Sequence, residues 1–308
     1  MSKHHVSDET KAAIDDRPID LDAGRRAFMR SVGLGAAGAA ILAGSVLTAG
    51  TAEATYEPDA PTDIQILNFA LNLEYLEAEY YLRVAFGRGL APGDVTGRGD
   101  LGPVQGGRRV NFRTPEFRQY AEEIANDEEA HVKFLRSALG DAKVARPKLD
   151  LRDSFTSAAI AAGLIRPGQQ FDPYANENNF LVGAFIFEDV GVTAYKGAAP
   201  LIDSKEILEA AAGLLAVEAY HAGEIRTLMF GRKLFRKAKA ISDARDMLDG
   251  EGDLDQGIVR DGGANIVPTD RNGLAFSRSP IQVRDIVYLG GAANDFGFFP
   301  DRLNGDIR

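Results

Sequence analysis

Apolar positions recur with helical spacing over four long stretches, each opened by a capping signal and closed by Gly or Pro. Thr62-Asp63-Ile64-Gln65 reads as a capping box, with Thr62 as N-cap and Gln65 at N3. The helix it opens runs to about Phe86, with Leu67, Ala70, Leu71, Ala78 and Tyr81 on one apolar stripe and Glu74 inside that stripe. Thr114-Pro115 opens a second helix that ends near Gly140. Asp172-Pro173 leads into a third, roughly 176–198, which Pro200 stops. Asp203-Ser204-Lys205-Glu206 resembles a further capping box and opens a fourth, ending between Gly231 and Lys239. The spacing therefore predicts an all-α chain built on a four-helix bundle over residues 62–239.

The connections divide the rest. Residues 87–113 are a Gly-, Pro- and Arg-rich loop, long enough to form a lid or rim. Residues 141–175 make a long crossover, with a short helix expected after Asp153. Residues 240–308 turn Gly- and Asp-rich and read as an irregular extension packed across the bundle, not as a domain of their own. Asp249–Asp255 lacks the glycine and the terminal Glu of a calcium loop.

The N-terminus carries a different pattern. Residues 1–24 are polar. Arg25-Arg26-Ala27-Phe28-Met29-Arg30 follows, then an uncharged Gly/Ala-rich run from Val32 to Gly50 and the small-residue sequence Ala52-Glu53-Ala54. Residues 1–54 thus resemble a twin-arginine export signal, which implies the twin-arginine translocase as a partner, cleavage near Ala54 and a periplasmic or extracellular destination. Gly33-Leu34-Gly35-Ala36-Ala37-Gly38 inside this run fits G-x-G-x-x-G, but no strand precedes it and no βαβ unit surrounds it. The 308-residue chain has net charge −10, which argues against nucleic acid as a partner, and its lack of cysteine excludes disulfides, thiolate metal sites and a Cys nucleophile.

Two histidines carry the chemistry. Of four in the chain, His4 and His5 lie in the polar N-terminus, and His131 and His221 each follow a glutamate by three residues, in Glu128-Glu129-Ala130-His131 and Glu218-Ala219-Tyr220-His221. On a helix, positions i and i+3 share a face, so each pair presents a carboxylate and an imidazole together. The first and third helices repeat another spacing, Glu74-x6-Tyr81 and Glu188-x6-Tyr195. The chain reads as two half-bundles whose pseudo-twofold axis would gather four carboxylates and two imidazoles, hard donors that suit two iron or manganese ions. Glu77 and Glu79 compete with Glu74 for the ligand position, and Glu77 could also be a neighbouring or bridging carboxylate. Glu129 and Asp189 fall outside the site on helical spacing. Tyr81 and Tyr195 are either core aromatics or hydrogen-bond partners of ligands. Both Glu-x-x-His carboxylates, Glu128 and Glu218, are expected to be free to bridge.

The segment from Leu67 to Tyr81, Leu-Asn-Phe-Ala-Leu-Asn-Leu-Glu-Tyr-Leu-Glu-Ala-Glu-Tyr-Tyr, resembles the first helix of the ferritin-like superfamily in its desiccation-related branch, which is similar to rubrerythrin and bacterioferritin in ligand pattern. The likeness covers about 62–235, and the Gly-Phe-Phe-Pro stretch at 297–300 resembles the extension of that branch. It implies a ferritin-like four-helix bundle with one long crossover, and Glu74, Glu128, His131, Glu188, Glu218 and His221 as ligands to two metal ions. It further implies oxidation of Fe(II) or consumption of peroxide, with oxygen or peroxide as co-reactant. A stress protein with a structural metal site is the competing expectation. The resemblance leaves open whether copies associate, and the long loop and tail argue against a closed storage cage.

Overall fold

A computed structural model describes residues 61–250, 252–291 and 294–308, so residues 1–54, expected to be an export signal, lie outside the described residues. The four long helices form: α1 Asp63–Phe86, α2 Pro115–Leu139, α4 Glu177–Ala198 and α5 Lys205–Gly231, with α3 Asp153–Ala161 in the crossover. α1 packs along α2 and α4 along α5, giving two helix hairpins joined by the crossover between α2 and α4. An all-α four-helix bundle with one long crossover follows, because two hairpins bury their apolar faces only by packing on each other.

The caps explain where the helices begin. Thr62 and Gln65 make the full reciprocal box. Ser204 caps α5 by accepting from the backbone N of Ile207 at 3.3 Å, without the returning half of a box. Thr114 sits at the N-cap of α2 but makes no capping bond; its hydroxyl donates to Glu177 and accepts from Arg232, both at 2.9 Å. Asp63, in the first turn of α1, accepts from the backbone N of both Asp203 and Ser204 at 2.9 and 3.0 Å, tying the starts of α1 and α5 together.

α1 is far more enclosed than a surface stripe predicts: Ile66 through Ala85 are buried apart from Ala70, Leu73 and Arg83. The extra cover comes from the connections. Residues 87–113 are pinned to the crossover by a parallel pair of strands, β1 Val104–Gly106 and β2 Leu149–Leu151, and by an isolated bridge from Arg98 to Val144. The C-terminal stretch reaches α1 as well, where Asn72 and Asn304 exchange hydrogen bonds at 2.9 and 3.1 Å.

The extension is less irregular than its composition implies. It contains α6 Phe235–Leu248, α7 Pro280–Val287 and a two-residue antiparallel pair, β3 Val259–Arg260 with β4 Gly263–Ala264. Ser279 and Gln282 form a second full capping box, with Pro280 in the first turn, which explains α7. Phe298 packs between Phe155 and Phe187, at ring-centre distances of 5.1 and 5.0 Å. Three buried arginines bolt the extension down. Arg226 donates to Asp189 and to the carbonyls of Gln256, Gly257 and Asn265. Arg245 bridges Asp189 and Asp255, and Arg278 bridges Asp249, Asp255 and Thr193. Each guanidinium has several partners, which burying that charge requires, although Nε of Arg226 and of Arg245 makes no hydrogen bond. Among the described residues, no helix is long and apolar enough to cross a membrane.

Candidate metal centre

Helical spacing sets the site. On α1, Glu74, Glu77 and Tyr81 stand at i, i+3 and i+7, and on α4 Glu188, Gly191 and Tyr195 occupy the same positions. α2 supplies Glu128 and His131, and α5 supplies Glu218 and His221. All six residues singled out in the sequence are buried in the bundle interior, and the two imidazole rings lie 6.2 Å apart.

Two overlapping sets form. Glu74, Glu128, His131 and Glu218 each bring one ligand atom, all within 4.8 Å of one another, and Glu128, Glu188 and His221 do the same. That spread is close to twice a metal–oxygen or metal–nitrogen bond of about 2.1 Å. His131 Nδ1 lies 3.2 Å from Glu74, 3.5 Å from Glu128 and 3.7 Å from Glu218. His221 Nδ1 lies 3.1 Å from Glu128 and 3.8 Å from Glu188.

Glu128 alone belongs to both sets, whereas Glu218 groups with His131 and not with the His221 of its own helix. Of the two glutamates expected to be free to bridge, Glu128 is the one that lies in both sets. The reason is a break in the internal repeat. Where α1 has Glu77, α4 has Gly191, and a Cβ there would stand 2.2 Å from Glu218 Oε2. Glu218 leans into the space the missing side chain leaves.

The tyrosines cross between halves. Tyr81 of α1 donates to Glu188 of α4, and Tyr195 of α4 donates to Glu74 of α1. Burial and the neighbouring carboxylates push both phenols well above their usual range, so both stay protonated donors. Asp127 is a partner that the sequence reading missed: His221 Nε2 lies 3.2 Å from its carboxylate, which points Nδ1 inward. The available signal was Asp127's position next to Glu128, facing the partner hairpin. Glu77 is buried and faces the cluster as a fifth carboxylate outside both sets. Glu79 instead pairs with Arg83 at 2.9 Å and with Arg146, and Glu129 pairs with Arg88 and Lys133, so neither enters the site. Asp189 is committed to the arginines of the extension.

Without cations the cluster is electrostatically frustrated. Burial, then the charge of Glu128, raises Glu74 to about 7, and burial likewise raises Glu188 to about 8. Glu77 and Glu218 rise well above the carboxylate range from burial and mutual repulsion. Burial opposes charge on Glu128 too, but the two imidazoles beside it outweigh that and lower its pKa. The carboxylates in turn outweigh burial at His131 and His221, which rise to about 11 and about 10. Both oxygens of Glu128 and of Glu218, Oε2 of Glu188 and Nδ1 of His221 are buried with no hydrogen-bond partner. Orphaned acceptors of this kind are rare in folded proteins and call for a cation.

A family model described as "Ferritin-like domain" matches residues 62–231. Among curated proteins, the chain is 32% identical over 239 residues to desiccation-related protein PCC13-62 of Craterostigma plantagineum, covering 71% of this chain and 75% of that one. It is 28% identical over 271 residues to ferritin-like catalase Nec2 of Nesocodon mauritianus, covering 80% and 84%. No solved structure matches the chain.

Proposed function

This chain belongs to the ferritin-like domain family, and we propose that it is an exported protein whose buried cluster holds two metal ions, iron or manganese, and consumes hydrogen peroxide there. The observation that carries the reading is the set of orphaned donor atoms on Glu128, Glu188, Glu218 and His221. They fit the group by chemistry, since carboxylate oxygens with imidazole nitrogens are a hard donor set. Glu74, Glu128, His131 and Glu218 would hold one ion, and Glu128, Glu188 and His221 the other.

When bound, the metal pair supplies two-electron redox capacity, turning two peroxides into two waters and one dioxygen. The chain's residues supply the rest. Glu128, which belongs to both ligand sets, would serve both ions. Tyr81 and Tyr195 hold Glu188 and Glu74 in orientation and bring donor protons to the edge of the cluster. Asp127 sets the His221 tautomer. The surrounding apolar bundle keeps bulk water out and strengthens every charge interaction inside. The relative named as a catalase supports this use of the site. Arg25-Arg26 before an uncharged run supports export by the twin-arginine route.

The relative named as desiccation-related favours a second reading, in which the metal pair is structural and protection comes without turnover. One experiment separates the two. The full chain is purified from its own compartment, its metal content is measured by mass spectrometry, and oxygen evolution from peroxide is followed electrochemically. Two metals with oxygen evolution, both lost in Glu128→Gln, support the enzyme. Two metals without oxygen evolution support the structural reading, and no metal defeats both.

A further inference from the structure

An apolar cleft approaches the cluster between α1 and α4. α1 and α4 part along a cleft walled by Ala70, Leu73, Ala194, Ala198, Ile202 and Val283, with Glu74, Glu77 and Tyr195 among its lining residues. It encloses about 600 Å³ of empty space including its open mouth, but a water-sized sphere can be centred over only about 30 Å³ of it. Since one such molecule needs roughly 10–15 Å³ by that measure, the cleft admits small molecules one or two at a time. Its lining carries no cationic side chain, and its carboxylates, Glu74 and Glu77, belong to the cluster itself. The His221 side is the opposite. Asp127, nearly half exposed, stands there against His221 Nε2, with Glu224 one turn along α5.

We propose that the α1–α4 cleft is the entry path for a small uncharged oxygen species, undissociated hydrogen peroxide or dioxygen, to the Glu74–Glu77 side of the metal centre. A hydrated divalent cation would have to shed its water against alkyl walls to pass, which costs far more than the cleft returns. Dioxygen loses little hydration there, and undissociated hydrogen peroxide gives up hydrogen bonds but no charge, a far smaller cost than stripping a divalent cation. α7 forms part of the roof through Pro280 and Val283, so the C-terminal extension contributes directly to the path. Ala70, Ala194 and Ala198 keep the bore open, because any larger side chain at those positions would project into the narrow part.

The proposal rests on the reading of the cluster as a redox metal centre, and its test keeps the two apart. Dissolved dioxygen under pressure is the first probe, read as paramagnetic relaxation of methyl groups by NMR in the full metal-free chain. The methyls of Leu73, Ala194 and Val283 should relax faster than those of Leu71 and Ile225, which are fully buried away from the cleft. Ala194→Phe should abolish the enhancement at Leu73 and Val283. Ala70→Leu, a smaller intrusion, should reduce it and serves as the test where the phenylalanine variant folds poorly. The second measurement is peroxide consumption by the Mn(II)-loaded protein, with Mn(II) affinity determined by calorimetry. Filling the cleft should slow consumption while leaving Mn(II) affinity unchanged. Cleft methyls that relax no faster than Leu71 and Ile225 would overturn the proposal. So would unaltered consumption in a variant whose enhancement is lost. Enhancement in a wild type that never turns over peroxide would leave the cleft as an oxygen site and remove the catalytic reading.

Discussion

Gly191→Ala adds one methyl group where the site has no room for it. The new Cβ would sit 2.2 Å from Glu218 Oε2 and 3.1 Å from its Cδ, about 1 Å inside ordinary carbon–oxygen contact. Glu218 is fully buried, so its carboxylate must turn away from the first ligand set to relieve the overlap. Helix α4 gains about 1 kcal/mol from replacing Gly by Ala. Overpacking costs about 1–3 kcal/mol, so the metal-free stability should change by no more than about 2 kcal/mol. The metal response should change much more. At a metal concentration of 100 times Kd, binding stabilises the fold by about 2.7 kcal/mol. For a domain of this size that raises Tm by roughly 5–11 °C. Loss of one ligand, taken as a hundredfold weakening, leaves about 0.4 kcal/mol at the same concentration, a shift of only about 1–2 °C. The assay is thermal unfolding with and without Mn(II), at a concentration fixed from the wild-type Kd. Gly213→Ala on α5 is the control, because a Cβ there meets nothing within 4 Å and the helix gain is the same. Equal metal-induced shifts in Gly191→Ala and Gly213→Ala would refute the placement of Glu218 in the metal-binding set.

Other outcomes follow from the same geometry. In the metal-free protein Glu74 and Glu188 are raised to about 7 and 8, so their stabilising protonation is complete below their unfolded values and is lost as pH rises through 7 and 8. His131 and His221, raised to about 11 and 10, act in the same direction, and their contribution is lost as pH rises through 10 and 11. The urea midpoint of metal-free protein should therefore fall from pH 5 to pH 8.5, and saturating Mn(II) should reduce or reverse that slope. Metal binding must expel those protons, so calorimetry in buffers of different ionisation enthalpy should show net proton release at pH 7; zero release would contradict the buried cluster as the binding site. Tyr81→Phe and Tyr195→Phe should each weaken metal affinity by roughly tenfold, with the fold intact by circular dichroism. Arg226→Met should cost about 3 kcal/mol in urea unfolding by stranding three backbone carbonyls and leaving Asp189 with Arg245 alone, and a loss below about 1 kcal/mol would show Arg226 to be dispensable.

The bundle was legible because its signals are local. The Thr62–Gln65 box, Pro115, Pro200 and Ser204 mark helix ends within a few residues of where they fall. The Glu-x-x-His pairs and the Glu-x6-Tyr repeats could be read because helical spacing alone brings such residues to one face. Assignment of Glu218 could not, because it turns on Gly191, where the informative fact is an absent side chain on another helix. Asp127 was hidden for a related reason: its partner lies 94 residues away, and adjacency to Glu128 is its one local signal. The helices of the extension were obscured by flanking Gly and Asp. Those aspartates looked like loop residues, but Asp249 and Asp255 are the counter-charges of buried arginines that come from elsewhere in the chain.

The link between Asn72 and Asn304 has a consequence for how the molecule comes to exist. A residue in the first helix is hydrogen-bonded to one 232 positions later, and Phe298 stands in the aromatic core beside α3 and α4. As the chain leaves the ribosome, both hairpins emerge well before the segment that closes over them. Until residue 304 is made, α1 has one flank uncovered and Asn72 lacks that partner. Completion of the fold thus waits for the segment around residue 304, when contacts of long sequence separation become possible. During that interval the nascent hairpins, with a charged and unneutralised centre, are the species a chaperone would meet.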